Sequence, residues 1–178
     1  MKNKKSKQKI KEHFCVNPNA KLRVREIEKL LKLPIPSVIR YCKELKEEKI
    51  LTTIKTGNVV FYTGNRANSS FLLEKKLYNI KSIYQSGLID FLKIELSNPV
   101  VFLFGSCSKG EDVEKSDIDL YIETPSKKEI DLGKFEKILK RKIQLFRHKS
   151  IKEIKNYELA DNILNGIVLN GFLEVFSK

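Results

Sequence analysis

The chain has 178 residues, of which 35 are Lys or Arg and 22 are Asp or Glu, so its net charge is +13. A hydrophobic content of 41% excludes wholesale disorder, and no run reaches the roughly 18–20 apolar residues that a membrane span needs. No apolar secretory segment follows the basic N-terminus, so we expect a cytoplasmic protein without a membrane partner. The three cysteines form no CxxC pair, which favours reduced thiols over a disulfide framework or a zinc site.

The positive charge is concentrated in the first third of the chain. Residues 1–66 carry 17 basic and 6 acidic side chains, a balance of +11, whereas residues 67–178 carry 18 and 16. This asymmetry predicts a basic module, which attracts phosphate backbones, joined to a near-neutral one. We therefore predict a nucleic-acid-binding domain at 1–66, connecting helices at 67–98 and a second domain at 99–178.

Three helices and a hairpin are predicted in the basic module. Apolar residues at helical spacing place the helices at about Lys5–Phe14, Val24–Leu31 and Ser37–Glu48. Two β-branched segments, Ile50–Thr56 and Val59–Thr63, flank the turn Gly57-Asn58 and predict a hairpin. This order resembles the winged helix-turn-helix modules of archaeal and bacterial transcription regulators.

The resemblance implies that the third helix enters the major groove of double-stranded DNA. We expect Val38, Cys42 and Leu45 to face the core of the module. The residues expected to contact DNA are Ser37, Arg40, Tyr41 and Lys43 on the helix and Lys55 in the hairpin. A module that mediates only protein contacts or homodimerisation, and an RNA target, are the alternatives.

Two helices are predicted to connect the domains. Asn68, Ser69 and Ser70 offer an N-cap, and the first helix covers Phe71–Gln85. Its predicted apolar face consists of Leu73, Leu77, Ile80 and Tyr84. The second helix covers Leu88–Leu96 and ends before Asn98-Pro99.

A strand followed by a glycine turn and two aspartates carries the chemistry of the second domain. The apolar run Val100–Phe104 predicts a buried strand that leads into Gly105-Ser106. Asp117 and Asp119 alternate along a second predicted strand, so they share one of its faces. Two neighbouring carboxylates repel each other unless a cation lies between them, and Mg²⁺ prefers such oxygen ligands together with substrate phosphates.

The string from Leu103 through Gly105, Ser106 and Gly110 to Ser116-Asp117-Ile118-Asp119-Leu120 resembles the motif of the DNA polymerase beta-like nucleotidyltransferases. It is most similar to the minimal nucleotidyltransferases of prokaryotes. The resemblance implies an α+β fold with a small mixed sheet, and transfer of a nucleoside monophosphate from a nucleoside triphosphate, ATP being the first candidate. Asp117 and Asp119 would be catalytic and bind Mg²⁺ or Mn²⁺. Residues that would hold the nucleotide are Gly105, Ser106, Lys109, Gly110 and Ser116.

One position departs from this family. Its members carry a third carboxylate on the strand after the following helix, where this chain has Gln144. Glu123 and Glu174 are candidates to replace it, and His148 is a candidate base. Three functions stay open: an active transferase with an unknown acceptor such as a protein or RNA, a nucleotide-binding transcription regulator with a weak or inactive site, and the antitoxin of a toxin–antitoxin pair.

The rest of the second domain is predicted to alternate between helices and strands. These elements are a helix at Glu129–Leu139, a strand at Ile143–Phe146, a helix at Ile151–Asn165 and a final strand or hairpin at Ile167–Phe176. Basic residues cluster around Gln144, which predicts either an acceptor groove or a solvated edge strand.

Overall fold

A computed structural model gives the fold of residues 2–173, with side chains from residue 5 onward. The chain forms two compact units that divide between Tyr78 and Asn79, within helix α4 (Ser69–Gln85). None of the helices in the described residues is long and apolar enough to cross a membrane. The boundaries at 66 and 98 stay a prediction.

The first unit has the predicted order of three helices and a hairpin. Its elements are α1 (Lys2–Val16), α2 (Val24–Leu31), α3 (Ile35–Glu47), β1 (Leu51–Thr56) and β2 (Val59–Gly64). Thr56 pairs with Val59 across the predicted turn, and Leu22 forms an antiparallel bridge to Tyr62. The identity of this unit as a winged helix-turn-helix stays a prediction.

Helix α3 begins two residues earlier than predicted. Pro34 is its N-cap residue and Pro36 lies in its first turn, where proline is tolerated because those N–H groups have no partner within the helix. The buried face contains Val38, Cys42 and Leu45 as predicted, and also Tyr41, which is 4% exposed. The prediction that Tyr41 faces outward is wrong because positions three residues after Val38 and four before Leu45 share the inner face.

The buried face of α4 also differs from the prediction. Leu73 and Leu77 are more than half exposed, whereas Phe71, Lys75, Asn79 and Ile83 are buried. The Lys75 ammonium donates a hydrogen bond to the Cys15 carbonyl at 2.5 Å. Two polar side chains thus occupy the inner face, because their hydrogen bonds offset the cost of burial, and apolar spacing alone selects the wrong face.

The second unit contains a four-stranded mixed sheet. Its elements in chain order are α5 (Leu88–Glu95), β3 (Val100–Phe104), α6 (Gly105–Lys109), β4 (Ile118–Glu123), α7 (Gly133–Leu139), β5 (Ile143–His148), a 3₁₀ helix (Ile151–Glu153), α8 (Tyr157–Leu164) and β6 (Ile167–Asn170). The strand order is β5-β4-β3-β6. Strand β3 is antiparallel to both neighbours, and β4 is parallel to β5. The predicted α+β class and small mixed sheet are confirmed for this unit.

Both faces of this sheet are covered. Leu103 and Leu120 pack in a cluster with residues of α5 and α7, whereas Phe104 and Tyr121 pack with Ile163 of α8 on the other face. Each fully buried side chain of this size contributes about 1.5–3 kcal/mol. The two-sided burial explains why Val100–Phe104 is a continuous apolar run.

Several predicted boundaries change in the second half of this unit, including the end of β5, which reaches His148 where Phe146 was predicted. Helix α7 begins at Gly133, whose N–H donates to the Asp131 carboxylate at 2.8 Å. The predicted helix over Ile151–Asn165 is divided, because the Asn156 side chain accepts the Leu159 N–H and starts a separate helix. The predicted last strand is shorter, and its final residues, including Glu174, lie outside the described residues.

Candidate functional site

The Asp pair lies at the beginning of the central strand β4. Asp117 directly precedes the strand and Asp119 is its second residue, opposite Phe104 of β3. The next residue, Gly105, has a φ of +68°, and a Cβ atom there would overlap the Asp119 Oδ2 atom. Gly105 therefore serves two purposes, since it allows the left-handed turn and leaves space for the carboxylate.

The Asp117 carboxylate lies close enough to Asp119 to act on its charge. Asp119 is half-buried, and both its burial and the neighbouring Asp117 raise the pKa of its carboxyl above the usual value. Paired oxygen donors of this kind fit Mg²⁺, which binds one or two carboxylates together with phosphates and water. In the described part of the chain, no three His, Cys, Asp or Glu side chains assemble into a metal-binding group.

Gln144 occupies the position beside the Asp pair on the neighbouring strand. The parallel register pairs it directly with Asp119, and its side chain is exposed. Because paired residues of neighbouring strands point to the same face, an acid at 144 would stand next to the Asp119 carboxylate. The structure thus puts Gln144 beside Asp119, where the family resemblance implies a third carboxylate.

Glu123, one of the two candidates for replacing that carboxylate, does not reach the pair. Glu123 lies four residues beyond Asp119 on β4, about 13 Å along the strand. Its carboxylate accepts the Ile151 N–H at 2.6 Å. His148 is paired with Glu123 and stacks on Tyr121 with ring centroids 5.9 Å apart. The predictions that Glu123 compensates and that His148 acts as a base at the Asp pair are therefore wrong.

Two short segments hold the loop residues predicted to bind nucleotide. Gly105 and Ser106 begin α6, and Gly110 ends it by donating its N–H to the Ser106 carbonyl. Lys109 is exposed. The Ser116 hydroxyl accepts the Val113 N–H at 2.9 Å, which closes the turn before Asp117. Ser116 thus helps to order the loop that carries the acid, and its predicted contact with nucleotide stays a prediction.

A buried polar cluster beneath these segments was missed by the sequence analysis. The Asp112 carboxylate is fully buried, and its Oδ2 atom lies 2.5 Å from Arg141 Nη1. Its Oδ1 atom accepts a hydrogen bond from Asn79 Nδ2 at 2.7 Å. Burial by itself would lower the pKa of Arg141, but the Asp112 carboxylate more than offsets this and the pKa is raised. These residues are 29 and 33 positions apart from Asp112 along the chain, so no local spacing links them.

Comparison with known families gives one match, and it lies in the second unit. Residues 86–170 match the family of the nucleotidyltransferase domain. The match spans just under half of the chain and includes the Asp pair and all the loop residues described above. It supports assignment of the second unit to the nucleotidyltransferase superfamily. Neither the curated proteins nor the solved structures contain a significant match.

The residues predicted to contact DNA belong to the first unit and are not among the matched residues 86–170. Lys43 and Lys55 are exposed and Ser37 is partly buried in the first turn of α3. The Arg40 guanidinium lies 4.5 Å from the centre of the Tyr41 ring and donates to the Tyr41 hydroxyl. Tyr41 therefore supports Arg40 from the core and does not itself face outward.

The outer side of α3 also carries apolar residues that the sequence analysis did not select. Ile35 is 39% exposed and Ile39 is 52% exposed. Their spacing of one helical turn, outside the buried face, was the signal that could have identified them. Apolar side chains of this kind can contact thymine methyl groups in a major groove.

Proposed function

We propose that the second unit binds a nucleoside triphosphate with a divalent cation and transfers its nucleoside monophosphate to an acceptor hydroxyl. The observation that carries this proposal is the close approach of the Asp119 carboxylate to Gly105, which puts an acidic pair against a Gly-Ser loop. Both features lie in the segment that matches the nucleotidyltransferase domain. ATP is the first candidate among the nucleotides.

Each residue then has a distinct role. Asp117 and Asp119 would hold Mg²⁺ or Mn²⁺, which supplies Lewis-acid stabilisation of charge on the phosphates when bound. The Ser106 hydroxyl and the exposed Lys109 ammonium would contact the triphosphate oxygens. In the reaction, the acceptor oxygen forms a bond to the α-phosphorus, the bond from that phosphorus to the bridging oxygen breaks and pyrophosphate leaves, and the proton of the acceptor hydroxyl passes to solvent.

The alternative is a nucleotide-binding regulator in which transfer is weak. Gln144 favours this alternative, because a neutral amide beside Asp119 cannot take the acceptor proton.

For the first unit, we propose binding to duplex DNA through Ser37, Arg40 and Lys43 of α3 and Lys55 of the hairpin. The +11 balance of residues 1–66 and the exposure of both lysines support that proposal.

Transfer of label from radioactive nucleotides tests the enzymatic proposal. The full chain is incubated with labelled ATP, CTP, GTP or UTP in Mg²⁺ or Mn²⁺, with and without total cellular RNA and protein. We expect labelled product from the wild type and none from Asp119→Asn, while Asp90→Asn, an exposed acid on α5, retains transfer. Binding of Mn²⁺-ATP without transfer would favour the regulator, and equal transfer by Asp119→Asn would refute the site.

Salt-dependent binding to duplex DNA tests the proposal for the first unit. Loss of one contact between a lysine and a DNA phosphate lowers the magnitude of the slope of log K against log salt concentration by about 0.9. We expect that loss for Lys43→Ala and not for Lys81→Ala, which removes an exposed lysine from α4. Equal affinities and slopes for both variants would remove α3 as the DNA-contacting helix.

A further inference from the structure

The buried cluster around Asp112 lies beneath the proposed nucleotide site and has no direct part in it. Asp112 is held by Arg141 at 2.5 Å and by Asn79 at 2.7 Å, and its side chain has no exposed surface. Arg141 is itself only 11% exposed. Burial of a charged pair costs free energy unless the geometry and the additional hydrogen bonds satisfy it, and here both oxygens of the carboxylate have partners.

Contacts lead from this pair to both segments of the site. Asn79 Nδ2 also donates to the carbonyl of Cys107 at 3.0 Å, and Cys107 is the residue that follows Ser106. Arg141 Nη1 lies 3.3 Å from the Cys107 Sγ atom. That sulfur lies 3.7 Å from the Asp117 carbonyl. The Gly-Ser loop and the acidic loop are thus connected through Cys107 to the same buried cluster.

The local structure explains why these loops depend on such contacts. Residues 111–117 belong to no helix or strand, and α6 has only five residues. The β3–β4 pairing reaches Phe104 and Asp119, and the Ser106 carbonyl accepts the N–H groups of Gly110 and Glu111. Beyond these backbone contacts, side chains from below help to fix the two loops, and charge-assisted hydrogen bonds are the most directional of those available.

We propose that Asp112, Arg141 and Asn79 are positioning residues that set the Gly-Ser loop against the Asp pair for binding of a divalent cation with a nucleoside triphosphate. This inference rests on the proposed function of the site. None of the three residues needs to touch the nucleotide. Their removal changes affinity through the placement of Cys107, and hence of Ser106 and Asp117.

Affinity for Mn²⁺-ATP, measured on the full chain by the electron paramagnetic resonance of free Mn²⁺, tests the inference. We expect Asp112→Asn to bind Mn²⁺-ATP at least 10-fold more weakly than the wild type. Asn79→Ala keeps both partners of the Asp112–Arg141 ion pair but removes the hydrogen bonds to Asp112 and to the Cys107 carbonyl, and we expect a 3-fold to 10-fold loss. Arg141→Lys keeps the charge, and we expect it to bind more tightly than Arg141→Met.

A matched control separates positioning from general stability. Leu92→Ala truncates a fully buried apolar side chain of α5, so it destabilises the same unit while it removes none of the hydrogen bonds of Asp112. We expect Leu92→Ala to lower the melting temperature yet keep wild-type affinity for Mn²⁺-ATP. If Asp112→Asn does not fold, Asn79→Ala and Arg141→Lys provide the comparison at a temperature where circular dichroism shows them folded.

The possible failures are distinguishable. No binding of Mn²⁺-ATP by the wild type would overturn both the proposed function and this inference. Binding that is lost in Asp119→Asn but unchanged in the folded variants at 79, 112 and 141 would overturn this inference alone. A loss in Leu92→Ala equal to that in Asp112→Asn would also overturn it, because affinity would then follow stability.

Discussion

The substitution Gly105→Ala tests the close approach between the glycine turn and the acidic pair. At φ +68° an L-residue in the left-handed region costs about 1–2 kcal/mol. The new methyl group must also displace the Asp119 carboxylate, and overpacking of this kind typically costs about 1–3 kcal/mol. Together these effects predict a loss of about 2–5 kcal/mol in the free energy of unfolding of the second unit.

Gly87→Ala is the matched control. Gly87 also has a positive φ, +79°, and lies in the same unit, but a Cβ atom there has no neighbour within 4 Å among the described atoms. We therefore expect Gly87→Ala to cost only the backbone contribution, about 1–2 kcal/mol. The difference between the two variants isolates the overlap with Asp119.

Differential scanning calorimetry measures the stability, since each kcal/mol lowers the melting temperature of a domain of this size by about 4–8 °C. Titration with Mn²⁺-ATP measures the site. We expect Gly105→Ala to lose binding at least 10-fold and Gly87→Ala to retain it. Equal melting temperatures and equal affinities for the two variants would refute the placement of Asp119 against Gly105.

Three further predictions concern other charged positions. In Gln144→Asp a third carboxylate stands beside Asp119, so we expect Mn²⁺ affinity to rise about 10-fold in a metal titration; no rise would show that position 144 does not face the pair. The raised pKa of Asp119 means that its contribution to stability is full below its usual pKa of 3.8 and is lost as the pH rises through the folded-state value. Without metal, we therefore expect Asp119→Asn to be more stable than the wild type at pH 7 and no more stable at pH 3. Urea denaturation at both pH values measures the two free energies of unfolding, and the same difference between variant and wild type at both would contradict the prediction. Lys75→Ala removes the buried ammonium from the Cys15 carbonyl, and we expect a loss of about 2–4 kcal/mol in the stability of the first unit; a calorimetric loss below about 1 kcal/mol would show that the contact is unimportant.

Much of the fold could be predicted from the sequence because local patterns determine it. The bounds of α2 and β3 agree with those predicted, since amphipathic spacing and a continuous apolar run are local signals. The Asp pair and the Gly-Ser turn were found for the same reason, as they lie within 15 residues of one another. Helix caps are weaker local signals, and the N-cap at Asn156, which divides the predicted helix, was not predicted.

The buried polar residues could not be predicted, because their partners are distant along the chain. Lys75 reaches a carbonyl 60 residues away, and a hydrogen bond of this kind helps an ammonium to replace an apolar residue on the inner face of α4.

The sequence by itself determined the type of the second domain, the positions of its acidic pair and glycine turn, and the absence of a carboxylate at 144. Only the tertiary structure decided that Glu123 is too far along β4 to compensate, and that Gln144 stands next to Asp119. It alone brought Asn79, Asp112 and Arg141 together beneath the site. The physical reason is that strand register and buried hydrogen bonds join residues whose separation in the sequence carries no periodic signal.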